Sequence, residues 1–255
     1  MSRPSVRRRR RAQPDVNKGA AGAGGGNGAC ASASESRPMH GYVRRPFGLS
    51  RIRPPLALSC TARYIEEVDS RTGLLRAALG LFARRGYDAV GVQEIVEGAG
   101  VAKPTLYHFF GSKHGLLEAI FAEYAVALDE AVRSAARYER DLPLTLDRIV
   151  AAYVDFASRE PDFYRLEMAL YFAPRESDAH KVATHHYTRR QAILEEMFAA
   201  AVHDHGNMRG RHRRYAVTLV GMINSYIALQ LNEHLVITDR LRRDIVHQFS
   251  HGIYS

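Results

Sequence analysis

The chain has 255 residues, of which 25% are charged and 46% hydrophobic, and its formal net charge is +9. This length allows one or two domains with a sizeable buried core. Both cysteines, Cys30 and Cys60, lie in the first quarter of the chain, so the remainder suggests no disulfide framework and no cysteine metal site. No stretch approaches the roughly 18 apolar residues of a membrane helix, and we expect a soluble, cytoplasmic protein without a membrane partner.

The positive charge is concentrated in the N-terminal tail. Residues 1–62 hold 12 Arg and Lys but 2 Asp and Glu, whereas residues 63–255 hold 24 and 25. The tail contains the run Arg7–Arg11, the low-complexity segment Gly19–Gly28 and few large apolar residues, so we predict that residues 1–62 are disordered. Two interpretations stay open: a basic arm that adds nonspecific DNA affinity, or a mis-assigned start, with Met39 or a later codon as the true beginning.

Three helices are predicted after the tail. Asp69 or Ser70 caps a helix that Gly86 ends; its inward stripe is Leu74, Leu75, Ala78, Leu79 and Phe82. The next helix is Val92–Ala99, whose apolar residues fall at i, i+3, i+4 and i+7, and Gly100 closes it. A third begins near Pro104, turns Leu106 and Phe110 inward, and leaves Lys103, Pro104, Thr105, Tyr107 and His108 facing outward. A short helix, a turn with Gly and a second short helix form a unit that fits the DNA major groove.

These residues resemble the TetR family of bacterial transcription regulators. The resemblance rests on the segments GYDAV, EIVEGAGVAKPTLYHFF and SKHGLL, and it covers roughly a quarter of the chain. It implies DNA contacts from the reading helix and its surroundings, namely Gly91, Val92, Lys103, Pro104, Thr105, Tyr107, His108 and Lys113. Tyr107 and Lys113 match the family's phosphate-contacting tyrosine and lysine. The chain departs from the family pattern at Val90, Gly91 and Ala102, where hydroxyl residues are usual, and Ala is a poor helix cap.

The remaining chain is predicted to be helical almost throughout, with long helices over about 112–138, 143–158, 162–172, 177–205, 210–234 and 239–253. This pattern resembles the family's rear domain. The fold class is therefore all-α: a helix-turn-helix DNA-binding domain at 63–116, followed by an all-helical ligand-binding and dimerisation domain at 117–255. Candidates for lining an effector pocket are Tyr153, Phe156, Phe163, Met168, Tyr171 and Phe172, although each could be plain core.

The last two predicted helices carry more apolar surface than a chain end usually shows: Val217, Leu219, Val220, Ile223, Tyr226, Ile227, Leu231, Ile245, Val246 and Phe249. By resemblance they pair with their copies in a homodimer; the alternative is that they close the core of one subunit. The histidines at 180, 185, 186, 203 and 205 could bind a metal, but a solvated helix face is commoner. We therefore expect no metal and no other cofactor.

The resulting hypothesis is a homodimeric repressor that binds a double-stranded DNA operator and is released by a small apolar or amphipathic effector. No catalytic motif stands out, since the chain has no phosphate-cradling glycine loop, nucleophile elbow or HExxH pair. Two rivals remain. One is an effector-independent architectural DNA-binding protein that uses the basic arm, and the other is a helical-bundle enzyme.

Overall fold

A computed structural model describes residues 56–252, and the side chains of residues 67–252 apart from that of Asn207. The described part is built from α-helices joined by short turns and one 3-10 turn at Gly206–Met208. In chain order the helices are α1 Leu56–Arg85, α2 Val92–Ala99, α3 Lys103–Phe110, α4 Lys113–Ala135, α5 Leu142–Arg159, α6 Pro161–Tyr171, α7 Asp178–Ala201, α8 His212–Leu231 and α9 Asp239–His251. No strand occurs among these residues. The predicted all-α class is confirmed.

The first helix begins earlier than predicted. Helix α1 starts at Leu56 and not near Asp69, so the prediction of disorder is wrong for residues 56–62. The proline pair directly before Leu56 is a helix-start signal, while Asp69 lies within the helix despite being a good N-cap residue. The rest of the tail, including its arginine run, lies outside the described residues.

Helices α1, α2 and α3 and the start of α4 form the front unit around one apolar core. The predicted inward stripe of α1 is buried, and Ile95 of α2, Leu106 of α3 and Leu116 of α4 are fully buried against it. Ser112 caps α4 by accepting a hydrogen bond from the Gly115 amide at 2.9 Å. Phe110 is half-buried and so contributes less to this core than predicted.

The rear helices pack on the long helix α4, which runs from the front unit into the rear one. Phe163 of α6 connects the two: its ring lies 5.2 Å from that of Phe121 and 5.5 Å from that of Tyr124, both on α4. Helix α6 also contacts α1. A shift of α6 would therefore be transmitted to the helices that support the front unit, because packed interiors resist gradual deformation.

Helices α7, α8 and α9 end at Ala201, Leu231 and His251, a few residues before the predicted ends. Most of the apolar residues of α8 and α9 are buried within the subunit, among them Leu219, Ile223 and Ile245. Val217 and Leu229 remain 53% and 42% exposed. None of the helices in residues 56–252 combines the length and apolar character that a bilayer crossing requires.

Candidate DNA-binding surface and ligand cavity

Helix α3 presents a polar, partly cationic face to solvent. Lys103, Pro104, Tyr107 and His108 are exposed, and Tyr107 has 45% of its surface accessible. Thr105 is half-buried, so it faces outward less than predicted. The exposed face thus combines a cation, a phenol and an imidazole, which suit phosphate oxygens and base edges.

The turn between α2 and α3 fixes the angle of this face. Gly100 adopts φ 67°, where a residue without Cβ carries no strain. Its amide donates to the Glu97 carbonyl at 3.1 Å, and the Val101 amide donates to the Val96 carbonyl at 3.0 Å. This pair of bonds is a Schellman cap, which satisfies the last carbonyls of α2 and directs the chain into α3.

The N-terminus of α2 is held by Glu94. Its carboxylate accepts a hydrogen bond from the Gly91 amide at 3.1 Å and pairs with Arg85 at the end of α1. The bond from Gly91 and the pairing with Arg85 hold the pKa of Glu94 below its usual range. Gly91 is exposed, whereas Val92 is half-buried against the core, so the structure offers the backbone of Gly91 and little of Val92 to a DNA strand.

Lys113 forms bonds within the protein that the sequence did not predict. Its ammonium donates to the carbonyl oxygens of Tyr87 and Val90, each at 3.0 Å, and lies 4.3 Å from the centre of the Tyr87 ring. It therefore ties the start of α4 to the turn between α1 and α2. Ala102, in contrast, makes no side-chain cap for α3, in agreement with the missing hydroxyl noted in the sequence.

A cavity of about 270 Å³ lies in the rear unit among helices α5, α6, α7 and α8. Four of the predicted pocket residues line it: Tyr153, Met168, Tyr171 and Phe172. The other two predicted residues lie outside it. Phe156 of α5 and Phe163 of α6 are buried core residues that do not reach the cavity, because Phe163 packs on α4 and Phe156 packs on Phe163, with ring centres 6.1 Å apart.

Sequence reasoning missed the remaining lining residues, which are Tyr164, Glu167, Tyr187, Arg190, Val220, Gly221, Asn224, Ser225 and Ala228. The Tyr164 hydroxyl donates to the Asn224 side chain, and burial raises the pKa of Tyr187 to about 12. Burial also raises the pKa of Tyr153, so these phenols stay protonated at neutral pH. The walls thus combine aromatic rings with neutral hydroxyls, a composition suited to an amphipathic ligand.

A buried ion cluster supports one wall of this cavity. Arg190 of α7 binds both carboxylate oxygens of Glu167 on α6, each at 2.9 Å, and donates to Asp129 of α4 at 2.9 Å. Burial alone would lower the pKa of Arg190, but the facing Glu167 carboxylate raises it, so the guanidinium stays charged. Burial raises the pKa of Asp129 despite that guanidinium. The cluster joins the cavity wall to α4 through three charged groups.

The histidines weighed as possible metal ligands lie in different surroundings. His180 bonds the Leu170 carbonyl and the Thr184 hydroxyl, both at 3.1 Å, while Asp204 accepts from the Tyr138 hydroxyl at 2.9 Å. Burial lowers the pKa of His186, whose Nδ1 has no bonding partner. Among the described side chains of residues 67–252, no three His, Cys, Asp or Glu are grouped as a metal ion would require.

Comparison with known proteins agrees with this geometry. Residues 74–120 match the family model described as "Bacterial regulatory proteins, tetR family". The HTH-type transcriptional activator FasR of Mycolicibacterium smegmatis is 36% identical over 157 residues, which cover 60% of this chain and 69% of the relative. The HTH-type transcriptional repressor KstR2 of Mycobacterium tuberculosis is 32% identical over 123 residues, covering 41% of this chain and 62% of the relative.

Solved structures share the fold. The regulator FadR of Bacillus subtilis, crystallised with stearoyl-CoA, superposes with a TM-score of 0.62 at 17% identity, covering 72% of this chain and 99% of that one. The fatty acid degradation regulator FadR of Bacillus halodurans gives 0.61 at 16% identity, with 71% and 98% covered. The family match lies on the front unit described above, and the relatives extend it into the rear unit. The chain belongs to the TetR family of bacterial regulatory proteins and is a DNA-binding transcriptional regulator of the helix-turn-helix type.

Proposed function

We propose that this protein is a homodimeric repressor that leaves its operator when a small amphipathic molecule enters the cavity of the rear unit. The observation that carries the proposal is the position of α6. This helix contributes Met168 and Tyr171 to the cavity wall, and its Phe163 packs on α4. A ligand that displaces α6 would therefore move the support of the reading helix.

The reading surface consists of Lys103, Pro104, Tyr107 and His108, with Thr105 beside them, and Gly91 and Lys113 at its edges. In a dimer two such surfaces would enter successive major grooves of a two-fold operator, about 34 to 36 Å apart. Since the half-sites have a fixed spacing, a change in the separation of the two α3 helices costs affinity. Thermodynamic linkage also requires bound DNA to weaken ligand binding by the same factor by which the ligand weakens DNA binding.

Exposed apolar residues on α8 support the part of the proposed dimer interface that this helix would form. Val217 and Leu229 lie on α8 with about half their surface accessible. The neighbouring α8 residues Gly221 and Ser225 are exposed as well, and both line the cavity. A partner subunit packed on this face would cover the apolar residues and close that side of the cavity.

The size of the cavity limits the ligand. A volume of 270 Å³ equals that of about nine water molecules in the liquid, so the unexpanded cavity holds on the order of ten non-hydrogen atoms. A fatty acyl thioester is one class to test, because a structural neighbour was crystallised with stearoyl-CoA. An acyl chain of that length would have to expand the cavity or extend out of its opening beside Phe172, which is 79% exposed.

A single tryptophan provides the test, because the natural chain has none. Phe172→Trp places the fluorophore at the cavity mouth, and Leu144→Trp places one on α5, where the leucine is 50% exposed and does not line the cavity. We expect a compound that lowers operator affinity to shift the emission of the first variant and not of the second. A compound that releases DNA while leaving both emissions unchanged would place the effector elsewhere.

The direction of regulation needs a separate measurement, since FasR is named an activator and KstR2 a repressor. A reporter gene placed behind the recovered operator should be silenced by the protein and restored by the effector. Reporter activity that rises with the protein would identify an activator and leave the DNA-binding mode unchanged.

A further inference from the structure

A second, larger cavity lies at the end of the rear unit remote from α3. Its volume is about 490 Å³, and it is bounded by the start of α5, the end of α7, the 3-10 turn, the start of α8 and helix α9. It shares no lining residue with the first cavity. The volume falls in the range of small-molecule sites, about 300 to 1,000 Å³.

The floor of this second cavity is apolar. Phe198 and Leu146 are fully buried there, and Met208 is 6% exposed. The Phe249 ring lies 6.0 Å from that of Phe198 and 6.3 Å from that of Tyr215. Buried aromatic and aliphatic groups that line a cavity favour a hydrocarbon chain over water, because water there would find few polar partners.

The rim is basic. Arg243, His205, His247 and His251 line the opening, and no Asp or Glu is among the lining residues. The imidazoles of His247 and His251, one helical turn apart, have centres separated by 4.5 Å. This part of the cavity therefore offers up to four cationic or hydrogen-bonding groups, with no side-chain carboxylate among its described lining residues.

Arg243 differs from its neighbours on the same helix. Arg240 pairs with Asp244, and Arg242 pairs with Asp147 at 2.9 Å, whereas Arg243 forms no ion pair with any of the described side chains. The helix dipole does not stabilise this unpaired cation, since Arg243 lies in the first half of α9 and the dipole favours cations in the last turn. An anion at the rim would supply the missing partner.

We propose that this cavity binds a single-chain amphiphile with one anionic head group. The hydrocarbon chain lies on Phe198, Leu146 and Met208, and the head group pairs with Arg243 and the histidines of the rim. The volume equals that of about sixteen water molecules, which suits a chain of about ten carbons with a carboxylate. The site shares no lining residue with the effector cavity, so it can be tested apart from the ligand proposed there.

The test uses decanoate and decanol as probes, titrated into the full chain by isothermal calorimetry. The two probes have the same chain length and differ in the charge of the head group. We expect decanoate to bind more tightly, and Arg243→Gln to weaken decanoate about tenfold, the loss of one charge-assisted contact, while decanol binding stays the same. Arg240→Gln is the matched control, because that arginine lies on the same helix outside the cavity, and it should change neither probe.

A fluorescent variant locates the bound probe. Ser250 is exposed at the rim, so Ser250→Trp adds the only tryptophan there without replacing a core residue. Decanoate should shift its emission and leave that of Phe172→Trp unchanged. Equal binding of decanoate and decanol, an unaffected Arg243→Gln variant, or a response confined to Phe172→Trp would each overturn the proposal.

Discussion

Replacing Lys113 with methionine is expected to loosen the front unit as well as weaken DNA binding. The substitution keeps most of the aliphatic stem and removes the ammonium that binds the Tyr87 and Val90 carbonyls. A cation at the first position of a helix opposes the helix dipole, so these carbonyls and the Tyr87 ring are what stabilise the charge there.

The size of the expected loss in the free energy of unfolding follows from those contacts. A hydrogen bond to a charged group contributes about 1.5 to 3 kcal/mol, and a cation over an aromatic ring about 0.5 to 1 kcal/mol at a partly exposed site. Lys113 is half-buried, so water replaces part of what is lost. We expect Lys113→Met to lower the free energy of unfolding by about 2 kcal/mol.

Urea unfolding and the salt dependence of DNA binding separate the two roles of this lysine. Lys103→Met is the matched control, since Lys103 is exposed on α3 and bonds no described residue. The control should leave stability unchanged. It should reduce the slope of log DNA affinity against log salt concentration by about one for each lost phosphate contact. If Lys113→Met gave the same pattern as the control, with unchanged stability, the internal role assigned to Lys113 would be wrong.

Three further predictions concern the rear unit and the turn before α3. Arg190→Met should lower the free energy of unfolding, measured with urea, by about 3 to 5 kcal/mol, because it removes the guanidinium that hydrogen-bonds the buried carboxylates of Glu167 and Asp129 and leaves Asp129 only the longer contact to Arg189 at 3.9 Å. Arg189→Met, at a 54% exposed site, should cost far less. Gly100→Ala should destabilise by about 1 kcal/mol or more, since φ is 67° there. Gly73→Ala, within α1 and with only the Ala99 carbonyl oxygen at 4.0 Å from the added Cβ, should instead stabilise that helix by about 0.5 to 1 kcal/mol. Thermal unfolding midpoints that moved the same way in both variants would contradict this. Burial lowers the pKa of His186 in the folded state, so the unfolded state binds the extra proton and stability falls as the pH drops below about 6.5. Between pH 7.5 and pH 5, the free energy of unfolding in urea should fall less for His186→Phe than for the unsubstituted protein. An equal fall in the two proteins would refute this contribution.

The sequence predicted the front unit closely because its signals are local. Helix α2 has the predicted bounds, and Gly100 has the predicted positive φ. Both depend on residues within one or two turns, where spacing and glycine chemistry act directly. The start of α1 was missed because Asp69 looks like a cap from sequence, although such residues also occur within helices when packing on either side supports them.

The unpredicted features depend on contacts between distant residues. The bond from Lys113 to Tyr87 spans 26 positions and that from Arg190 to Asp129 spans 61. In sequence, such charged residues on long helices look like a solvated face. Phe156 and Phe163 lie outside the effector cavity for a related reason: aromatic composition indicates burial, and only the packing of α5 and α6 determines which rings face a cavity.

Selection of duplexes from a randomised DNA library, with the full chain at about physiological salt, tests the central claim most directly. Nonspecific affinity is weak under that condition. The structure predicts enrichment of a two-fold related motif that disappears with Tyr107→Ala and persists with Leu144→Ala, which removes an exposed apolar side chain of the rear unit. Enrichment without a shared motif, or a motif unchanged by Tyr107→Ala, would contradict the assignment of α3 as the reading helix.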